Sequence, residues 1–180
     1  MSSVHETAYP RLKEEFTEQE LVAIYTPTPE ELRFVAARYR QVTQQIFLLI
    51  QLKLLQRLGY FVALAGVPNE VVNHICSRAQ VRVPTRSALA RYDKSGTKQR
   101  HRVHLRQFVG IRELLPLDEA WLKEQALQAA STKQELADII NVLIEELVQR
   151  RFELPSYTEL FRLSSNARAV LEWAWARKER

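Results

Sequence analysis

Among residues able to do chemistry, His74, Cys76, His101 and His104 are the set whose types could ligate zinc. Their spacing is H-x-C and H-x-x-H, and two ligands one residue apart are cramped around a single tetrahedral ion. Cys76 therefore reads as a small core residue, and His101 and His104 as hydrogen-bonding groups toward phosphate or protein. Tyr92 stands among arginines, the surroundings in which a tyrosine attacks a phosphodiester. The histidines and arginines that follow it make no H-x-x-R pattern, so Tyr92 reads as a stacking or phosphate-contact residue. Asp138, Glu145 and Glu146 are the acids a two-metal nuclease would need, yet they fall on the wet side of a helix. Neither G-x-x-x-x-G-K-[ST] nor G-x-S-x-G occurs. The sequence points to no catalytic constellation, no metal and no cofactor.

What the chain does have is cations in one place. From Arg78 to Arg112 there are ten Lys and Arg against Asp93 alone, a net +9. The other 145 residues hold 16 basic and 20 acidic residues, a net −4, so the overall +5 hides a polarised molecule. Such a stretch binds polyanions, because each phosphate it neutralises releases condensed counterions. The expected contacts are Arg86, Arg91, Tyr92, Lys94, Thr97, Lys98, Arg100, His101, Arg102, His104, Arg106 and Arg112.

The elements that must position these residues are helices. Gly numbers only 4, and the apolar residues recur at helical spacing. Residues 1–16 read as an extended arm, with Pro10 stopping any early helix. Thr17 with Glu20, and Thr28 with Pro29 and Glu31, open two helices as capping boxes. Gln41 to Leu58 is apolar nearly all round, as befits the inside of a bundle, and Gly59 ends it. Pro68 opens a helix to about Arg78 at its first-turn position. In the basic stretch a short helix over 87–92 is followed by the turn Asp93-Lys94-Ser95-Gly96, and then by a helix that Thr97 caps and Gly110 ends. On it Lys98, Arg102 and Arg106 follow at i, i+4 and i+8, with Arg100 and His104 on the other side of an apolar face. Cations on both flanks suit a helix lying in a major groove, and two helices about a turn fit a helix-turn-helix. Beyond Pro116, a helix over 118–130 precedes one capped by Ser131 with Gln134. A short helix then runs from Pro155 through Leu163, and Ser165 caps the last, with Val170, Leu171 and Ala174 inward. Trp173 and Trp175 cannot both face one core, which leaves an aromatic for a partner surface.

The fold class is all α: a multi-helix bundle with a helix-turn-helix-like basic region, one unit over 1–180 or two subdomains, 1–80 and 81–180. A chain this long buries roughly 70% of its unfolded surface and needs neither metal nor disulfide. A lone cysteine, no signal peptide at the start and no bilayer-spanning apolar run lead to the expectation of a cytoplasmic protein without a membrane partner.

Four segments in register carry a resemblance. They are 25–32 (YTPTPEEL), 56–61 (QRLGYF), 98–102 (KQRHR) leading to 108–112 (FVGIR), and 153–157 (ELPSY) with Leu160 to Leu163. In order and spacing they resemble the amino-terminal domain of the Tn-three family of replicative transposases, over nearly the whole chain. The resemblance implies binding of double-stranded DNA at transposon terminal inverted repeats, with Arg100, His101 and Arg102 in the family's basic block and Gly110, Ile111 and Arg112 at its helix end. It also implies that the acidic triad for cutting lies in a later domain that this chain does not reach, so the chain is a fragment, a split coding product or a free-standing relative, and not an enzyme. The rival expectation is a protein-interaction module that dimerises with, or regulates, a full-length transposase. RNA binding would rest on the same charge.

Overall fold

The structure is a computed structural model that describes residues 4–178. Among those residues there are nine α-helices and no strand, only a single bridge between Arg112 and Phe152. The chain is all α. It divides into two compact units, one of Pro10–Gly110 and one of Ile111–Arg180 together with Met1–Tyr9.

The first unit is built on α3 (Val42–Leu58). Its leucines and isoleucines saturate every face, and Leu48, Ile50, Leu52 and Leu54 have no solvent exposure. Around it pack α1 (Glu18–Tyr25), α2 (Pro29–Arg38), α4 (Asn69–Arg78) and α6 (Gly96–Val109). The caps of α1 and α2 are the boxes the sequence announces: Thr17 accepts from the Glu20 amide, Thr28 from the Glu31 amide, and each glutamate returns the bond. Glu31 does more than cap. Its carboxylate is buried and takes the buried Lys53 ammonium at 3.2 Å and the Gln56 amide at 2.8 Å. Gly59 closes α3 at φ 78°, a conformation free of steric cost only for glycine.

Two starts in this unit differ from expectation. Pro68 stands just before α4 as its cap residue, not within the first turn. Ser95, not Thr97, caps α6 by accepting from the Lys98 amide, because the turn after α5 (Arg86–Asp93) spends only Lys94 and Ser95.

The second unit packs α7 (Pro116–Thr132), α8 (Leu136–Gln149) and α9 (Tyr157–Lys178) pairwise. Helix α7 starts at Pro116 and runs through Ser131 and Thr132, whose hydroxyls donate back to the Gln128 and Ala129 carbonyls. Ser131 is thus unavailable to cap α8, and that helix begins after Glu135 with no side-chain cap. The short helix and last helix expected at the end are one, for α9 passes straight through Ser164 and Ser165. Leu160, Ser164 and Ala167 share its buried face, while Val170, expected inward, is exposed. The amino-terminal arm is less extended than expected, with a 3-10 turn at Val4–Glu6; residues 1–3 lie outside those described. The arm as far as Tyr9 belongs to this unit, and from Pro10 on it belongs to the first. The Ala8 amide donates to Asn141 Oδ1 at 2.7 Å, and the buried Tyr9 donates its hydroxyl to the Pro155 carbonyl at 2.9 Å.

Candidate nucleic-acid interface

The basic stretch forms α5, the two-residue turn and α6, seated on a 3-10 turn at Leu64–Gly66. Its one acid explains the seating. Asp93 is largely buried, and its two carboxylate oxygens accept from the Leu64 and Ala65 amides at 2.8 and 2.9 Å while holding the Lys98 ammonium at 3.3 Å. At the other end of α5, Arg86 donates to the Ala65 carbonyl at 2.9 Å. The single carboxylate is turned inward as a staple, and the outward side of α5 and the turn is left to cations. Among the described residues Arg82, Arg91 and Lys94 are exposed and make no intramolecular ion pair. Arg91 and Thr97 line an open groove with Gln41, Thr43 and Gln44 from the start of α3.

Helix α6 presents three faces. His101 and Leu105 point inward with no exposure, and Phe108 stacks on Phe34 at 4.1 Å. Along one edge run Lys98, Arg102 and Arg106, at the spacing read from the sequence. They turn toward the protein: Lys98 to Asp93, and Arg102 and Arg106 over the Phe61 ring at 4.9 and 5.5 Å. Guanidinium groups held over an aromatic face keep their charge but lose freedom of reach. Arg100 lies on the solvent side, donating only locally to the Thr97 hydroxyl at 3.0 Å.

Tyr92 and His101, expected as contacts, are instead buried. Tyr92 is 4% exposed and His101 has no exposure, so neither presents a surface to a duplex. They share a hydrogen bond of 2.9 Å that ties α5 to α6, with Phe47 of α3 against the Tyr92 ring and Tyr39 against the imidazole. Burial, with His104 and Arg100 nearby, pushes the His101 pKa down to about 4 and keeps the ring neutral. Burial raises that of Tyr92. His104 is half-buried beside Tyr39, lowered by burial and by Arg38. Arg112 falls in the other unit, its guanidinium 3.8 Å from the Phe152 ring centre and 3.9 Å from Asp118. Charge counting missed Gln99, Val103 and Gln107, which are exposed on α6 beside Arg100. Their only sequence signal was their phase on the helix.

Elsewhere, His74 bonds Thr26 at 2.9 Å, and the buried Cys76 thiol is pushed up to about 11, the opposite of a ligating thiolate. Among the described residues no group of three or more His, Cys, Asp or Glu is placed to hold a metal, and no helix is long and apolar enough to cross a membrane.

The class is therefore an all-helical domain that gathers its positive charge on one helical pair. The chain belongs to the family described as a domain of unknown function, DUF4158, whose model matches residues 1–167. That domain is the non-catalytic amino-terminal region of the Tn-three family of transposases, a region known for DNA binding. No curated protein matches the chain.

Proposed function

We propose that this chain binds the terminal inverted repeats of a transposon as double-stranded DNA in the cytoplasm, with sequence preference and no chemistry of its own. The observation that carries the reading is the inward turn of Asp93, which leaves the α5–turn–α6 pair with exposed cations and no outward acid. In this reading the pair acts as a helix-turn-helix. Arg86, Arg91, Lys94 and Thr97 meet phosphates directly, and Arg100 reaches a phosphate or a guanine edge. Lys98, Arg102 and Arg106 add field from the sides, the neutral His104 offers a hydrogen bond, and Arg112 is a contact of the second unit by itself.

The test is salt dependence on a duplex carrying the ends of the parent element. Engagement of about six phosphates gives a slope of about −5 for log affinity against log salt. Arg91→Glu, Lys94→Glu and Arg100→Glu together should abolish binding without lowering the melting temperature, since all three side chains are exposed. A flat salt response, or full binding by the folded triple variant, rejects the reading. Competition with structured RNA separates the two nucleic acids.

A second reading has its own observation. Trp173 and Trp175 are 61% and 59% exposed on α9, with Val170 one turn away at 54%. The side of α9 that carries Val170 and Trp173 suits a second copy of the chain or the catalytic part of a transposase. A monomer by sedimentation that captures no full-length transposase would dismiss it.

A further inference from the structure

The outward face of α6 is not the cationic edge that spacing alone suggests. With His101 and Leu105 buried, and Lys98, Arg102 and Arg106 turned onto Asp93 and Phe61, four side chains remain for solvent: Gln99, Arg100, Val103 and Gln107. Helical geometry puts 99, 100, 103 and 107 on one face and spreads them over about 12 Å, close to the width of a major groove. Three of the four, Gln99, Val103 and Gln107, are of types that phosphate attraction does not need. Two amides match the paired donor and acceptor edge of adenine, and a guanidinium matches guanine. Val103, 51% exposed at the middle of a basic helix, adds nothing to the attraction of anions. An aliphatic group placed there matches the methyl group of thymine, the one apolar feature of the groove floor.

We infer that Gln99, Arg100, Val103 and Gln107 form the base-reading strip of α6, with Val103 against a thymine methyl. The inference rests on the DNA-binding reading and deepens it by naming what is read: a short site containing A·T pairs next to a guanine. The cations of α5 and the turn then position the helix, and the strip on α6 specifies.

The experiment uses the full chain and duplexes selected from a random library. Replacing each thymine of the selected site by deoxyuridine removes only the methyl group. The wild-type chain should lose affinity roughly fourfold at one position, the worth of one buried methyl, and Val103→Ala should show no loss there. Gln99→Ala and Gln107→Ala should each weaken the selected duplex roughly tenfold, leaving an unrelated duplex and the salt slope unchanged. Insensitivity to every thymine replacement, or a thymine penalty that Val103→Ala keeps, overturns the assignment. So does salt-dependent binding with no sequence enriched, an outcome that leaves DNA binding itself standing. Failure to bind any duplex rejects both.

Discussion

Removing the Asp93 carboxylate separates shape from charge. Asp93→Ala deprives the Leu64 amide of its acceptor at a residue with no solvent exposure, at a cost of about 1–3 kcal/mol for a buried donor left unmade. The Ala65 amide is exposed, so water replaces most of what it loses. Lys98 keeps its charge without its counterion, at a site where both partners are about 12–13% exposed, which adds about 1 kcal/mol. The sum is about 2–4 kcal/mol, or a fall on the order of 10–20 °C in the transition of a unit this size. Asp93→Asn retains one acceptor oxygen and should cost about half. Tryptophan fluorescence would miss the event, since Trp121, Trp173 and Trp175 all lie in the second unit. Far-UV circular dichroism under urea and amide exchange at Leu64 and Ala65 report it. The same variant raises the basic stretch from +9 to +10. If charge alone bound DNA, affinity would rise. If the seating of α5 and α6 matters, affinity falls at temperatures where the unit is still folded. An unchanged urea midpoint, or tighter binding, refutes the reasoning.

Two further outcomes are expected. His101 is neutral when folded, its pKa lowered to about 4 from an unfolded 6.5, so the unfolded state binds the extra proton between those values. Its stabilising contribution is complete above pH 6.5 and falls by about 3 kcal/mol as pH drops toward 4; urea midpoints across that window should show the decline, and His101→Gln should remove that share of it. Glu31→Ala leaves the buried Lys53 unpaired and the α2 box open, and should cost about 3–5 kcal/mol by denaturant unfolding. A loss under 1 kcal/mol would mean that Lys53 finds water.

The sequence is most legible where the chemistry is local. The boxes at Thr17 and Thr28 need only residues three positions apart, and both form. Helix α3 is legible because its apolar residues saturate every face, and Gly59 and Gly110 stop their helices with φ 78° and 75°. Local chemistry misleads when two local solutions compete. Ser131 can cap a following helix or bond back into the preceding one, and the preceding helix wins. At Ser165 the buried face shared by Leu160, Ser164 and Ala167 keeps α9 continuous past a residue that looks like a cap. The site fails for a longer-range reason. The edge of Lys98, Arg102 and Arg106 is spaced as read, but whether it faces water depends on Phe61 and Asp93, which arrive from elsewhere in the fold. By type and company Tyr92 and His101 read as contacts to phosphate, whereas burial gives them the task of joining two helices.

The division of the chain after Tyr9 and again after Gly110 has a practical consequence. Residues 10–110 form an uninterrupted insert, while the three-helix unit is assembled from segments on either side of it. Trimming or tagging the first nine residues therefore strikes positions more than a hundred residues later, loosening Asn141 on α8 and the Pro155 corner, before it touches the capping boxes next in line.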